Sequence, residues 1–145
     1  MNGFLPGATL GLSPTDERGY VLDPWGNPIR YNVANTTIGG VTNPFTTPNG
    51  MQSATLATLG AATLINVCAS SVGTTATSCG TAPTLSTSAP VLLFSTGKNG
   101  AGAGADESAN RDGNMVFVSH VPTAITSSNG EFDDIVAWLS PNILY

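Results

Sequence analysis

The chain has 145 residues, a formal net charge of −5 and 9% charged residues. A chain of this length can bury a core of its own, so we expect a single globular domain over residues 1–145. Nucleic-acid binding draws on clustered lysine and arginine, and the four cationic side chains are scattered along the sequence, which excludes nucleic acid as an expected partner: Arg18, Arg30, Lys98 and Arg111. No apolar run approaches the ~20 residues of a transmembrane helix, and no signal-peptide pattern is visible.

Short apolar segments alternate with long loops rich in Gly, Pro, Thr, Ser and Asn. Residues 2–19 are predicted to form an extended or looped segment at the start of the domain. The prolines of Asp23–Pro28 predict a stiff turn, because each restricts the residue before it. Alternating apolar and polar residues predict a half-buried strand at Ile29–Val33. Short apolar runs predict further strands at Pro90–Ser95 and Met115–His120.

Residues 55–68 fit both a helix and strands. Their apolar spacing matches one helical face, but Thr, Ile and Val favour strands, and Gly60 would weaken a helix by about 1 kcal/mol relative to Ala. We expect two short strands joined at Gly60-Ala61. Several short strands with long loops indicate an α+β fold with an antiparallel β-sheet and a small or missing helical layer.

Cys68 and Cys79 are the two cysteines of the chain, and they bracket a loop whose hydrophobic content is limited to Val72. Their spacing does not fit a redox Cys-x-x-Cys motif, and a zinc site would need further Cys or His ligands. A disulfide is favoured over two separate buried thiols. It would stabilise the fold by about 3 kcal/mol in the chain-entropy model and would place the protein in an oxidising compartment.

No segment carries a convincing catalytic signature. A triad can be drawn from the single histidine, His120, with Ser95 and an aspartate. The sequence has no Gly-x-Ser-x-Gly nucleophile elbow to support it. Gly97-Lys98-Asn99-Gly100 lacks the residue order of a Walker phosphate loop. We therefore expect that the protein is not an enzyme.

Acidic residues in loops provide the remaining candidate site. Calcium takes 6–8 oxygen ligands from carboxylates, amides and backbone carbonyls. The candidate donors lie in loops or glycine-rich surroundings: Asn99, Asp106, Glu107, Asp112, Asp133 and Asp134. The alternative is a set of solvated loop acids, with Asp133 or Asp134 capping a short helix.

Three segments, in order along the chain, carry a family resemblance. Asp23-Pro24-Trp25-Gly26-Asn27-Pro28-Ile29-Arg30-Tyr31 resembles the Asp-x-Trp-Gly-x-Pro-x-x-Tyr segment of type II secretion pseudopilins and related type IV pilin-like proteins. Ser95-Thr96-Gly97-Lys98-Asn99-Gly100 resembles their glycine-bearing turn, and Asp134-Ile135-Val136-Ala137-Trp138 is similar to their Asp-Ile-x-x-Trp segment. Gly104–Glu107 with Asn110, and Phe132–Ile135, resemble a bacterial subgroup of prepilin-type, minor pilin-like proteins.

The resemblance implies a pilin-like antiparallel sheet packed against an N-terminal hydrophobic helix that a prepilin peptidase processes. We expect that this helix has been removed from the present sequence, which starts abruptly at Met1-Asn2-Gly3. The implied function is that of a minor pilin or pseudopilin in a type IV pilus or a type II secretion-like filament. Its partners would be other pilin subunits and, through the helix, the inner membrane, with a periplasmic or extracellular location in the cell envelope. The alternative is an extracellular adhesin or carbohydrate-binding module.

The resemblance also implies calcium between the glycine-bearing turn and the Asp-Ile-x-x-Trp segment. The carbonyl of Thr96, the side chain of Asn99 and Asp134 fall on ligand positions, with Asp133 beside them. Three departures are visible. Asn99 stands where the pattern has an aspartate, about thirty residues separate the two segments, and the cysteine pair lies mid-chain, whereas many type IV pilins close a C-terminal loop. Either Asp106 or Glu107 replaces the missing charge, or a hydrogen-bonded turn network replaces the ion.

Overall fold

The computed structural model describes residues 2–100, 102 and 104–144. The strands are β1 (Asn2–Phe4), β2 (Arg30–Val33), β3 (Thr37–Ile38), β4 (Val41–Thr42), β5 (Ile65–Cys68), β6 (Thr84–Ala89), β7 (Val91–Ser95), β8 (Val116–Val118) and β9 (Ile135–Trp138). The α-helices are α1 (Gly7–Leu10), α2 (Leu56–Gly60) and α3 (Ala105–Ala109), and 3-10 helices cover Gly50–Ser53 and Pro141–Leu144. In this part of the chain, no helix has the length and apolar character needed to cross a membrane.

Two sheets and one hairpin organise the domain. The four-stranded sheet has the order β1-β2-β7-β9 and is antiparallel throughout. The three-stranded sheet has the order β6-β5-β8, in which β5 runs antiparallel to β6 and parallel to β8. Strands β3 and β4 form a separate hairpin. The expectation of a β-rich α+β domain with long loops is confirmed, and the β5–β8 pair departs from a purely antiparallel arrangement.

The main core lies between the two sheets. Side chains alternate between the two faces of a strand, so Leu92 and Phe94 of β7 face inward while their neighbours face outward. They pack with Ile65, Val67 and Phe117 of the second sheet, and the rings of Phe94 and Phe117 lie 5.7 Å apart. This packing fixes the position of β7. After β7 the chain enters the glycine-bearing turn, of which we call residues 97–100 the bend.

The opposite face of the four-stranded sheet, which we call the outer sheet face, is formed mainly by apolar side chains. Its residues are Tyr31, Val33, Val91, Leu93, Ile135 and Ala137, and the register aligns Tyr31 with Leu93 and Leu93 with Ala137. Ile135 is 55% exposed. A groove of about 270 Å³ opens between this face and residues Leu5, Pro24 and Ile29.

The expected strand before Gly60 is wrong, because residues 56–60 form α2. A capping box begins this helix: Thr58 N–H donates to Thr55 Oγ1 at 3.2 Å, and Thr55 N–H donates to Thr58 Oγ1 at 2.7 Å. Leu59 is fully buried and anchors the helix in a small cluster with Ile38 and Ala54. The second expected strand is present as β5.

The entry segment is more ordered than the expected loop. Strand β1 pairs with β2 and becomes an edge of the four-stranded sheet. Gly11 caps the C-terminus of helix α1. Its φ of 68° is a left-handed conformation that glycine adopts at little cost. The strands predicted at 29–33, 90–95 and 115–120 are observed as β2, β7 and β8.

Cys68 and Cys79 form the expected disulfide, with Cα atoms 5.5 Å apart. Both residues are buried and pack with Ala82 and Val116. The bridge closes the polar loop that follows β5. Both ends of this loop are thereby fixed to the three-stranded sheet.

Candidate metal centre

A turn at Asp23–Asn27 docks onto the bend that follows β7. Asp23 Oδ1 accepts hydrogen bonds from the backbone N–H groups of Trp25 and Asn27, at 2.9 and 2.8 Å. Asp23 Oδ2 accepts from the Ser95 hydroxyl at 2.5 Å, and Asn27 Nδ2 donates to the Gly97 carbonyl at 2.7 Å. The turn therefore holds the start of the bend by two side-chain contacts over a sequence separation of about seventy residues.

The bend in turn contacts the segment that leads into β9. The Asn99 N–H donates to Asp133 Oδ2 at 3.0 Å. Gly97 has a φ of 62°, and a Cβ placed on it would lie 2.0 Å from Asp133 Oδ1. Only glycine allows this approach. The predicted contact between the glycine-bearing turn and the Asp133-Asp134 segment is confirmed.

Three carboxylates converge where these segments meet. Each of Glu107, Asp133 and Asp134 offers one oxygen, and the three oxygens lie within 4.8 Å of one another. Glu107 is fully buried and Asp134 is 5% exposed. Glu107 comes from the first turn of α3, where its Oε2 accepts from the Gly104 N–H at 3.4 Å and its Oε1 accepts from the Asp133 N–H at 2.9 Å. We call this group the carboxylate cluster.

Burial and mutual repulsion raise the pKa values of two of these carboxylates. Burial raises the pKa of Asp134 to about 6; a hydrogen bond from Asn110 and the charge of Arg111 oppose the rise, and the charges of Glu107 and Asp133 add to it. Burial also raises the pKa of Asp133, against the Asn99 N–H bond and with the charge of Glu107. Without a cation, the fold therefore disfavours a full negative charge here.

Two oxygens of the carboxylate cluster lack a hydrogen-bond donor. Within the described residues, Asp133 Oδ1 and Asp134 Oδ1 are buried and make no hydrogen bond. A buried acceptor without a partner costs free energy. Carboxylate oxygens brought together in this way are the ligands that hard divalent cations take. The carboxylate cluster could therefore hold a metal ion.

The sequence-predicted ligands have different places at this centre. Asp133 and Asp134 belong to the carboxylate cluster and precede β9, so neither caps a helix. Asn99 lies against the cluster, donating from its side chain to the Glu107 carboxylate at 3.1 and 3.3 Å. Thr96 is buried just before the bend, and its carbonyl as a ligand stays a prediction.

Of the residues considered for the missing charge, Glu107 is the one in the carboxylate cluster. Asp112 is exposed and bonds to the N–H and amide of Asn114. Sequence reasoning gave no role to Asn110, although the family resemblance included it. Its Nδ2 donates to Asp134 Oδ2 at 2.9 Å and to the Val118 carbonyl at 3.1 Å, and its Oδ1 accepts from the Val118 N–H. Asn110 thereby joins β8 to the centre.

Asp106 serves a second network beside the carboxylate cluster. Its Oδ2 lies 3.0 Å from His120 Nε2, and the His120 ring stacks on Phe132 with centroids 3.9 Å apart. Its Oδ1 accepts from the Ser71 N–H at 2.6 Å, and Asn129 Nδ2 donates to Oδ2 at 3.2 Å. Burial alone would raise the pKa of Asp106, but the bonds from Ser71, Asn129 and His120 outweigh it and lower that pKa.

The contacts of Ser95 and His120 lead to different aspartates. The Ser95 hydroxyl donates to Asp23, whereas His120 bonds to Asp106. The Ser95 hydroxyl therefore does not donate to His120, as a Ser–His–Asp triad would require. His120 instead joins α3 to the loop that follows β8.

Comparisons of this chain with protein-family models, with curated proteins and with solved structures find no match.

Proposed function

We propose that this chain is the globular domain of a pilin-like subunit, a minor pilin or pseudopilin, which assembles with other pilin subunits into a filament of the cell envelope. The observation that carries the proposal is the apolar outer sheet face. Contiguous exposed apolar surface on a soluble domain marks an interaction site. In a pilin-like subunit, this surface would receive the long hydrophobic helix through which the subunits polymerise.

The shape of the outer sheet face suits a helix laid along it. The groove beside it is bordered by Leu5, Ile29 and Leu93 on one side and by the small residue Ala137 on the other. Small side chains let a helix approach the backbone closely, and larger apolar ones pack against its flanks. Strand β1 lies at the edge of the same sheet, where a preceding segment could turn back across the face.

Calcium is the ion that we propose for the carboxylate cluster. Hard oxygen ligands exclude soft thiol-binding metals as the natural choice, and loop-borne carboxylates can adapt to the irregular 6–8-fold coordination of calcium. Magnesium would demand near-ideal octahedral geometry. The Thr96 carbonyl is a further candidate ligand, because it precedes the bend that contacts Asp133.

The proposed ion has a structural role. The carboxylate cluster joins the start of α3 to the segment before β9, which is distant in sequence, and the bend after β7 contacts it through Asn99. A cation bound there would fix β9, which supplies Ile135 and Ala137 to the outer sheet face. The disulfide supports an oxidising location, consistent with a periplasmic or extracellular subunit.

The assembly proposal is tested by placing a charge on the outer sheet face of the full-length protein. We choose Ala137→Lys, because Ala137 is exposed and faces outward. Filaments sheared from the producing cells should lose this variant, while the isolated variant domain keeps its melting temperature within a few degrees. The matched control is Leu85→Lys on β6, since Leu85 is 48% exposed on the other sheet. Wild-type incorporation of Ala137→Lys would contradict the proposal.

A further inference from the structure

A second concave site lies on the inner side of the four-stranded sheet, opposite the outer sheet face, and Asn110 and Arg111 connect it to the carboxylate cluster. It has a volume of about 170 Å³ and is bordered by β1 and β2 on one side and by Asn110, Arg111, Gly113 and Phe117 on the other. The strand register pairs Asn2 with Asn32 and Phe4 with Arg30. Because opposite residues share a face, these four side chains lie on the same side of the sheet and form one wall of the pocket.

Two of the four cationic side chains of this acidic protein line the pocket, Arg30 and Arg111. The Arg30 guanidinium lies over the Phe4 ring, 4.8 Å from its centroid. Among the described residues, no carboxylate forms an ion pair with either arginine. Arg111 Nη2 is buried and has no hydrogen-bond partner in this part of the chain. The Arg30 guanidinium thus keeps donors that the described protein does not use, whereas Arg111 Nη2 is shielded from solvent beside Gly102.

The remaining polar lining is also rich in donors. Asn2 and Asn32 present amide groups, and no aspartate or glutamate borders the pocket within the described residues. Phe94 and Phe117 supply apolar surface. An acceptor-rich ligand with a negative charge would satisfy this lining. A cation would meet only repulsion from the arginines.

We propose that this pocket binds a small organic carboxylate that also carries hydroxyl groups, such as a hydroxy acid or a single sugar acid. The planar guanidinium fork matches the geometry of a carboxylate and forms paired, charge-assisted hydrogen bonds with it. Arg30 takes the carboxylate, Arg111 adds positive charge to the pocket wall, and the amides of Asn2 and Asn32 take the hydroxyl oxygens. The volume is below the roughly 300 Å³ at which pockets for drug-sized ligands begin, which limits the ligand to about one ring.

The experiment is a titration of the ¹⁵N-labelled domain, followed by backbone amide shifts at constant ionic strength. The probes are D-glucuronate, acetate, D-glucose and inorganic phosphate. We expect saturable shifts around Arg30, Asn32 and Gly113 with glucuronate, a weaker response at the same amides with acetate, and none with glucose. Phosphate should bind more weakly than glucuronate, because it lacks the planar carboxylate and the hydroxyl groups.

Variants separate the charge from the guanidinium geometry. Arg30→Gln should weaken glucuronate binding by about tenfold or more, the usual effect of losing a charge-assisted hydrogen bond. Arg30→Lys keeps the positive charge and is the more conservative substitution. It should also weaken glucuronate binding, because lysine lacks the planar guanidinium fork. The matched control is Arg18→Gln, since Arg18 is an exposed cation in another turn and its loss should leave the affinity within about twofold.

Several results would overturn the proposal. These are the absence of saturable shifts with glucuronate, an equal response to glucose, tighter binding of phosphate, or unchanged glucuronate affinity in Arg30→Lys. Arg111 is not used as the primary variant, because its charge also acts on Asp134 and its loss would disturb the carboxylate cluster. The titration therefore remains independent of the proposed filament function, and it is run in the presence of a chelator so that the carboxylate cluster is in one metal-free state throughout.

Discussion

Asp134 carries most of the free-energy cost that the carboxylate cluster imposes on the fold. Its pKa is raised to about 6 in the folded chain, against 3.8 for the free side chain. A raised pKa means that its contribution to stability is fully present below about pH 4 and is lost as the pH rises through about 6. At neutral pH without a cation, the ionised side chain therefore destabilises the fold.

Asp134→Asn should make the metal-free protein more stable at pH 7. The gain should be about 2 kcal/mol, or roughly 4–8 °C in melting temperature, and it should shrink as the pH falls below 6. The same variant should abolish the proposed stabilisation by calcium, which in the wild type should reach about 2.7 kcal/mol at a hundredfold excess over the dissociation constant. Thermal melts with calcium and with a chelator measure both effects.

The control for this substitution is Glu17→Gln, because Glu17 is an exposed carboxylate far from the cluster in sequence. It should leave both the metal-free stability and the calcium response unchanged. A metal-free Asp134→Asn variant that melts below the wild type at pH 7 would contradict the cost assigned to the buried charge.

Gly97 tests the close approach of the bend to Asp133. Gly97→Ala adds a methyl group 2.0 Å from Asp133 Oδ1, so it must displace the bend or the carboxylate. Gly113→Ala is a matched control, because Gly113 also has a positive φ, of 83°, but a Cβ there meets nothing within 4 Å. Gly97→Ala should cost at least about 1 kcal/mol more than Gly113→Ala, as measured by urea unfolding. Equal losses would show that the contact with Asp133 is unimportant.

Asp106 has the opposite dependence on pH. Because its pKa is lowered in the fold, its ionised form contributes stability above about pH 4, and this contribution is lost as the pH falls through the lowered value. Asp106→Asn should therefore be less stable than the wild type at pH 7, and the difference should narrow below pH 4. Unfolding free energies measured from pH 3 to 7 test this, and a difference that is independent of pH would contradict it.

At the scale of the elements, the strands were predictable where burial on one or both faces produced an unambiguous pattern. Strand β7 reads as a continuous apolar run because one of its faces enters the core and the other forms the outer sheet face. Helix α2 was missed because its stability comes from the Thr55–Thr58 capping box and the burial of Leu59. The Thr-rich composition that favours a strand in isolation supplies the cap of this helix.

The disulfide stabilises the loop between β5 and β6. Replacing both Cys68 and Cys79 by alanine should lower the unfolding free energy by about 2–4 kcal/mol, because the unfolded chain regains the freedom of the loop. Urea unfolding of the oxidised wild type, the reduced wild type and the double variant measures the effect. The reduced wild type should resemble the double variant. Equal stability of the oxidised and reduced forms would exclude a stabilising bridge.

At the scale of the whole molecule, the sites are assembled from distant segments, which limits what the sequence can predict. The contact between the bend and Asp133 was expected from the family resemblance. The sequence left Asp106 and Glu107 as equal candidates for the missing charge, because they are adjacent on one short helix. Only the orientation of α3 separates them, and it directs Glu107 to Asp133 and Asp106 to His120.

The pocket bordered by Arg30 and Arg111 shows that predictions from the charge pattern of a sequence have the same limit. Arg30 and Arg111 are scattered in the sequence, and this scatter gave no reason to expect a local cationic site. The sheet places β2 opposite the loop that follows α3, so both arginine residues border one pocket. Pairwise distance in sequence therefore says little about local charge in a fold built from long-range strand pairs.

The central claim is that a divalent cation belongs to this fold. The most direct measurement is isothermal titration of calcium into the chelator-treated wild-type domain, with Asp134→Asn and Glu17→Gln titrated in parallel. We predict one saturable calcium site in the wild type and in Glu17→Gln, and its loss in Asp134→Asn. Absence of saturable binding in the wild type, or unchanged binding in Asp134→Asn, would contradict the claim.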